Sequence, residues 1–281
     1  MDLSIIIVSW NVEELLRKNL AAIYKNTQGI NFEVFVVDNA SKDDSVVMVQ
    51  KEFPDVHVIA NSDNLGFAKA NNQAIAQSKG RYVLLLNPDM QVHESTLSDM
   101  VSWMDQHPQA GVAGCHLIDE YGNTVPHVRR FPRLIDQAAT ILKVPHIVPR
   151  ILGDYMMVDF NYSKEAVVDS IRGSFFMIRR EVIEKLGGLD EAYFIWFEEV
   201  DYCKQVIKAG WNVMYTPEIK CTDFVGKSFA QVMGLWKQKM FTKSMLTYFK
   251  KWHPWHEVVA ISVLRPVGIA LAWGYDRIKK K

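Results

Sequence analysis

Cysteine is scarce in this chain. Cys115, Cys203 and Cys221 are an odd number and form no CxxC spacing, which favours neither a disulfide framework nor a zinc knuckle and fits a reduced, cytoplasmic setting. Net charge is missing too: 32 Lys and Arg balance 32 Asp and Glu, so no overall basic surplus marks a nucleic-acid partner, and none is expected. The amino terminus lacks a basic stretch of the secretory kind. Its apolar run is only Ile5–Val8 before polar Ser9 and Asn11, and it is expected to be a buried strand rather than a signal peptide. No internal repeat or low-complexity segment is present, and 49% apolar residues in 281 exclude disorder and supply a core for one large α/β domain or two small ones.

What is present alternates. Apolar, β-branched runs at 3–9, 32–37, 56–60, 82–86 and 111–116 have strand length, and the segments at 11–26, 43–52, 66–78 and 93–107 have helical spacing. This predicts an α/β fold on a mostly parallel sheet flanked by helices. In open sheets of that kind ligands lie beyond the carboxyl ends of the strands, where Asp38 and Asp89 fall. From 117 to 168 the pattern loosens around Tyr121-Gly122, HVRRFPR (127–133), Pro145 and Pro149, as in a variable insertion. Regularity returns in SIRGSFFMIRREVIEKLGGLDE, a strand followed by a helix that Gly187-Gly188 stops.

The charge balance is uneven along the chain. Residues 227–281 hold eleven Lys and Arg against Glu257 and Asp276, and are expected to behave as a separate electrostatic object. Within them run eighteen residues, VVAISVLRPVGIALAWGY, apolar except for Ser262 and the central Arg265-Pro266. An Arg at the bilayer centre costs about 2.5 kcal/mol or more, and the run is marginal for a span. Interfacial or re-entrant attachment is therefore expected, with KKWHPWH (250–256), Arg277 and Lys279–Lys281 meeting anionic headgroups. The competing reading is a helical pair packed on the rest of the chain, with a solvated basic end.

Five stretches carry the functional signal: SIIIVSWN (4–11), VVDNAS (36–41), NLGFAKANN (64–72), LLLNPDM (84–90) and GGLDEAYFIWFEEVD (187–201). In this order and spacing they resemble the family 2 glycosyltransferases, inverting enzymes of the GT-A fold. The resemblance runs over roughly residues 3–228 and is nearest the bacterial rhamnosyltransferase-like branch, which builds cell-surface polysaccharide.

The resemblance implies a nucleotide-sugar site at Ser9, Asn11, Asp38, Asn39, Gly66, Ala70, Asn71 and Asn87. Asp38 would accept the imide N–H of uracil or thymine; its local alternative is an Asx-turn cap ahead of Asn39. Gly66 would let the chain enter a helix close to a ligand, with Asn71 or Asn72 bonding the nucleotide, and plain helix capping is the alternative. Asp89 is implied as a ligand of Mg²⁺ or Mn²⁺ shared with the diphosphate, Asn87 standing where a DxD triplet has its first acid. Its alternative is an N-cap of a helix starting near His93. On the acceptor side the resemblance implies Gly173, Trp196 and Asp201, and Glu199 sits where the family places its general base, with Glu198 as the neighbouring substitute. The usual form has Asp at position 199. The Glu moves the carboxylate by about a bond length, and a base must lie within about 3 Å of its proton. Acids at a helix start are also favoured by the helix dipole alone. Counting from Pro217 puts Asp223 where the family often has a metal-binding His before a Gly-x-Ser; a loop acid that binds no metal is the alternative. Arg129, Arg130, Arg133 and Arg172 could contact the diphosphate or an anionic acceptor, or be solvated, and Trp196 could stack on a sugar or be a buried strand-end aromatic.

The expected activity is a metal-dependent inverting transfer of a sugar, first of all L-rhamnose from dTDP-L-rhamnose, onto a lipid-linked oligosaccharide at the cytoplasmic membrane face. The alternatives are a UDP-hexose donor and, because Glu199 and Asp223 depart from the pattern, a catalytically silent nucleotide-sugar-binding module. A sugar nucleotidyltransferase is set aside, since its Gly-rich loop with Arg and Lys is missing after Val8. Residues 1–226 are expected to form the catalytic domain and 227–281 a helical membrane-associating segment.

Overall fold

The computed structural model describes residues 1–224 and 234–279, with side chains as far as Gly274. Gly226-Lys227-Ser228 and the side chains of Arg277 and Lys279–Lys281 lie outside the described residues. Strands and helices first alternate as the periodicity predicts: β1 (Leu3–Ser9), α1 (Glu13–Asn26), β2 (Phe32–Asp38), α2 (Ser45–Glu52), β3 (His57–Ala60), α3 (Phe67–Ile75) and β4 (Tyr82–Leu86). There follow β5 (Met90–Val92), α4 (Thr96–Gln106) and β6 (Ala110–Ile118). The loosened segment carries β7 (Val128–Arg129), α5 (Leu134–Ile141), 3₁₀ turns at Val144–His146 and Pro149–Leu152, β8 (Ala166–Val167) and β9 (Ser170–Ile171). Then come β10 (Phe175–Arg179), α6 (Arg180–Leu186), α7 (Glu198–Lys208) and β11 (Asn212–Asp223), and finally α8 (Gly234–Trp252) and α9 (Trp255–Lys279).

The main sheet runs β3-β2-β1-β4-β10-β6-β11-β5, with β8 on β11. Its first four strands are parallel, as are β6 and β11, while β10 is antiparallel to both β4 and β6. Strand residues alternate between faces. Leu3, Ile5, Ile7, Leu84 and Leu86 join Leu16 and Leu20 of α1 and Met100 of α4 on one side. Ile6, Val83 and Leu85 join Ala68 and Ala74 of α3 and Tyr202 and Val206 of α7 on the other. Covered on both faces, β1 and β4 read as unbroken apolar runs rather than alternating ones. Truncating one such leucine to Ala costs about 2–5 kcal/mol.

The reversal at β10 positions the site. Phe175 pairs with Leu86, so the residues just before β10, Gly173 and Ser174, arrive at the carboxyl end of β4. There Asn87 N donates to Ser174 O at 3.0 Å.

The two C-terminal helices share a third core with the rest of the chain. Met245, Tyr248 and Phe249 of α8 and Ile261 of α9 pack with Ile141 of α5, Tyr193, Phe197 and Val200. The pair is packed on the sheet domain, as the packing half of the second reading has it, and its basic end lies outside the described residues. Arg265 Nε donates to Thr242 Oγ1 of α8 at 3.3 Å, and Gly268 nests against Ile141 and Gln238.

Candidate active site

The loops after β1 and β2 are tied to each other before anything is bound. Asn11, at φ 53°, accepts from Lys42 N at 2.6 Å, and its own N–H donates to Ser41 Oγ at 2.8 Å. Asp38 Oδ2 accepts from Ser41 N, three residues on, at 2.8 Å, so one oxygen is spent on the local turn, though not in the Asx-turn pattern of a bond two residues on. The other, Oδ1, is buried without a hydrogen-bond partner, as is Ser9 Oγ. Unpaired buried acceptors of this kind cost about 1–3 kcal/mol each and face the sheet end where ligands bind.

The Gly66 turn has a different cause from the expected one. A Cβ there would run into the Phe194 carbonyl oxygen, with Phe194 Cδ2 at 2.9 Å, and Phe67 N donates to that same oxygen at 2.7 Å. The close approach is therefore to the 187–197 loop. Asn39 Nδ2 donates to Gly66 O at 3.1 Å, linking the second loop to the turn. Ala70 and Asn71 are buried on α3. Asn71 Nδ2 is spent on Phe67 O at 2.9 Å and its Oδ1 is unpaired, whereas Asn72 holds Leu189 through both N and O.

Asn87-Pro88-Asp89 is a turn between β4 and β5, and α4 begins only at Thr96, so Asp89 is not its N-cap. Asn19 on α1 fixes the turn by donating to Asn87 O (3.1 Å) and Met90 O (2.7 Å). Strand β5 pairs antiparallel with the end of β11, Met90 opposite Asp223, and Phe224 N donates to Asp89 O at 3.0 Å. Asp89 and Asp223, 134 residues apart in sequence, thus stand on adjoining strand ends, each about 3% exposed. Arg172 Nη1 donates to Asp223 Oδ2 at 3.2 Å.

Glu199 closes the site. A methyl on Gly173 would lie 3.6 Å from Glu199 Cβ and 3.8 Å from Phe67 Cε1, so the acid, the α3 turn and the β10 approach meet. Phe197, the residue before α7, takes φ 72°, and Trp196 takes φ 64°, a sharp entry that puts Glu198 and Glu199 in the first helical turn. Oε2 of each is buried and unpaired. Burial and the charge of Glu199 push the Glu198 carboxyl well above the usual carboxylate range. Burial also raises Glu199, against the pull of Arg129 and Arg172. The insertion reaches the same spot: burial raises the Tyr155 hydroxyl, and the charge of Glu199 raises it further.

Not every expected residue joins them. Asp201 is fully buried and saturated by Trp252 Nε1 (2.6 Å), Gln205 Nε2 (2.7 Å), Lys251 Nζ (2.9 Å) and Tyr193 Oη (3.3 Å). Those contacts hold α7 to α8 and leave no oxygen for an acceptor. Trp196 lies edge-on to Phe241 of α8 with centroids 5.9 Å apart, the packing alternative. Arg130 and Arg133 pair with Asp154 in the open. Asn19, Ser174 and Tyr155 were not singled out from the sequence. The signal for Asn19 was there, a polar residue within the apolar stripe of Leu16, Leu20 and Ile23.

Among the described residues no group of three or more His, Cys, Asp or Glu forms a ready cage for an ion. Mg²⁺ and Mn²⁺ sites that share substrate phosphates need only one or two protein carboxylates, and the adjoining Asp89 and Asp223 fit that donor set.

Comparison with known proteins agrees with this architecture. The chain is 26% identical over 226 residues to the N-acetylglucosaminyl-diphospho-decaprenol L-rhamnosyltransferase of Mycobacterium tuberculosis, covering 76% of this chain and 73% of that one. It is 28% identical over 251 residues to the rhamnosyltransferase WbbL of Escherichia coli, covering 84% and 89%. In fold it is similar to the mannosyltransferase PcManGT of Pyrobaculum calidifontis, solved with GDP-Man and Mn²⁺, at a TM-score of 0.62 and 19% identity over 97% of this chain and 73% of that one. The mixed, mostly parallel sheet flanked by helices is the GT-A fold. With its residues 4–187 matching the pattern of Glycosyl transferase family 2, the chain belongs to that family.

Proposed function

We propose that this glycosyltransferase moves L-rhamnose from dTDP-L-rhamnose onto a lipid-linked oligosaccharide in cell-surface polysaccharide synthesis, with inversion at the anomeric carbon. The observation that carries the reading is the Glu199 carboxylate: half-buried, one oxygen unpaired, its pKa raised, and backed by Gly173 at the carboxyl end of β4. A base with a raised pKa is matched to taking a proton near neutral pH. Glu199 removes the acceptor hydroxyl proton while that oxygen attacks the anomeric carbon from the face opposite the departing diphosphate. One displacement inverts the centre. Asp38 Oδ1 takes the pyrimidine imide, Ser9 and the Asn39–Gly66 turn line the donor, and Arg172 lies beside the diphosphate. Asp89 and Asp223 would hold Mg²⁺ or Mn²⁺, which when bound supplies Lewis-acid neutralisation of the leaving charge. The rhamnosyl donor is supported by the names of both bacterial relatives, and the lipid-linked acceptor by the name of the Mycobacterium tuberculosis one.

Residues 1–226 carry the donor and acid groups in this reading, and α9, within 227–281, meets the cytoplasmic membrane surface. The stretch Trp255–Gly274 is long and apolar enough to cross a bilayer, with mean hydropathy 1.5. Its Ile261 and Gly268 pack towards Ile141 and its Arg265 bonds to Thr242 of α8, while Val259, Val263, Val267 and Leu271 are exposed. That division suits a helix lying on the surface.

The test measures thermal stabilisation by dTDP, UDP and GDP with and without Mn²⁺, then turnover with dTDP-L-rhamnose. A metal-dependent preference for dTDP, with turnover lost in Glu199→Gln while dTDP binding persists, is expected. Preference for UDP moves the donor to a UDP-hexose. Binding without turnover in the native protein on any lipid-linked acceptor would leave only a silent nucleotide-sugar module.

A further inference from the structure

The proposed chemistry leaves two buried polar residues of the 117–168 insertion unused. Gln137 on α5 is wholly buried, and among the described residues neither its Nε2 nor its Oε1 completes a hydrogen bond. Folded proteins rarely keep a buried amide unpaired at both ends unless the site has a use for it. Tyr155, which follows the Pro149–Leu152 turn, is 8% exposed. Gln137 and Arg129 both approach its hydroxyl, the amide in a geometry too poor to close a bond.

The backbone brings this pair to the acid. Arg130 N donates to Tyr155 O at 3.1 Å, which lays Tyr155 along β7. In β7, Arg129 stands opposite Ser170 of β9, and its carbonyl accepts from Ser170 Oγ at 3.0 Å. Strand β9 packs against α7 and leads to Gly173, where a methyl would lie 3.6 Å from Glu199 Cβ. Tyr155, Arg129 and Glu199 are thereby gathered together, close enough for the Arg129 charge to act on Glu199 and the Glu199 charge on Tyr155.

Counting donors and acceptors shows what is missing. Arg129 carries donors only, so it meets the Tyr155 oxygen with a hydrogen and leaves the phenol hydrogen to point elsewhere. Gln137 Oε1 does not take it. Burial keeps that phenol protonated, and the Glu199 charge adds to the effect. A free donor therefore stands beside a carboxylate that accepts a proton. A sugar offers the complement: one hydroxyl gives its proton to Glu199, and the oxygen of the hydroxyl on the next carbon accepts from Tyr155.

We propose that Tyr155 binds the acceptor sugar through the hydroxyl adjoining the attacked one, and that Gln137 is the positioning residue behind it. This rests on Glu199 being the base. It makes the insertion, rather than the sheet, the part of the chain that selects the acceptor sugar.

Kinetics on the full-length protein test this, with dTDP-L-rhamnose and UDP-hexoses as donors. The acceptors are synthetic lipid-diphosphate-linked hexoses and 2-acetamidohexoses, each also in its single-deoxy forms. Tyr155→Phe should lower kcat/KM for the acceptor about three- to tenfold, the measure of one neutral hydrogen bond, without a change in melting temperature or dTDP binding. On the acceptor that lacks the adjoining hydroxyl, native protein and Tyr155→Phe should turn over equally. Gln137→Met should lose less than Tyr155→Phe, and adding it to Tyr155→Phe should cause no further loss. A full further loss on the deoxy acceptor in Tyr155→Phe means that phenol and hydroxyl do not meet, and overturns the proposal. So does a fall in melting temperature or dTDP binding that matches the kinetic loss, the mark of a merely structural role. Turnover retained in Glu199→Gln removes the base beneath the inference, whatever Tyr155→Phe does, and absence of transfer by the native protein to every acceptor overturns both readings.

Discussion

Replacing Gly66 by Ala, next to the same change at Gly187, separates backbone strain from steric exclusion in this fold. Gly66 has φ 82° and ψ −179° and Gly187 has φ 80° and ψ −168°, nearly the same glycine-only conformation, in which a side chain costs about 1–3 kcal/mol. They differ in space. Nothing lies within 4 Å of a Cβ on Gly187, whereas a Cβ on Gly66 overlaps the Phe194 carbonyl and meets its ring at 2.9 Å. That carbonyl is backbone and already accepts from Phe67 N at 2.7 Å, so it cannot turn aside. Overpacking adds about 1–3 kcal/mol. Gly187→Ala should therefore lose about 1–3 kcal/mol by strain alone and Gly66→Ala about 2–6 kcal/mol by strain and overlap together. Urea unfolding followed by tryptophan fluorescence gives both values against the native protein. Equal losses would refute the claim that the Gly66 turn is shaped by the 187–197 loop, and would return that glycine to the role of making room for a ligand.

Other substitutions probe the acids one at a time. The raised pKa of Glu198 means that the folded protein holds this proton more tightly than the unfolded chain, so its contribution to stability is present at acid pH and is lost as pH rises from the unfolded value of about 4.3 through the folded one. Glu198→Gln should accordingly be more stable than the native protein at neutral pH, with the gain vanishing towards pH 4; a pH-independent difference in melting temperature would contradict this. Lys251→Met leaves the buried Asp201 without its cation. Because Lys251 is about one-third exposed, the loss should be about 1–3 kcal/mol, below that of a fully enclosed pair, and a double-mutant cycle with Asp201→Asn should recover part of it. Asp89→Asn and Asp223→Asn should each keep the fold but lose most of the Mn²⁺-dependent part of the dTDP-induced melting shift, and an undiminished metal effect in both would remove them from the ion site.

Much of the fold was legible because local signals agreed with the global packing. Strands β1, β2 and β4 are buried on both faces, and their apolar runs stand out from the amphipathic helices between them. Strand β5 was not legible: Met90–Val92 is too short for any periodicity, and only its pairing with β11 makes it a strand. That same pairing joins Asp89 to Asp223, a neighbourhood that the separate motifs at 84–90 and 216–228 do not contain. The basic character of the C-terminal residues suggested a separate object, but Lys251 is used internally, on Asp190 and Asp201, and Lys143, from the insertion, ties α5 to α8.

The acids of GGLDEAYFIWFEEVD give the sharpest case. Glu198, Glu199 and Asp201 occupy one helical turn and are alike in the sequence, each favoured there by the helix dipole. Their fates are decided by what packs on them. Lys251 and Trp252 reach Asp201 from 50 and 51 residues away and occupy both its oxygens, so its charge is spent on holding α7 in place. Among the described residues nothing comparable reaches Glu198 or Glu199, each of which keeps an unpaired buried oxygen. An acid that is satisfied lends stability, and an acid left unsatisfied in a crevice stays available to take a proton. Anchoring Asp201 to α8 therefore also fixes the helix that carries Glu199. On this reasoning Lys251→Met should lower turnover as well as stability, even though the residue touches neither sugar nor nucleotide.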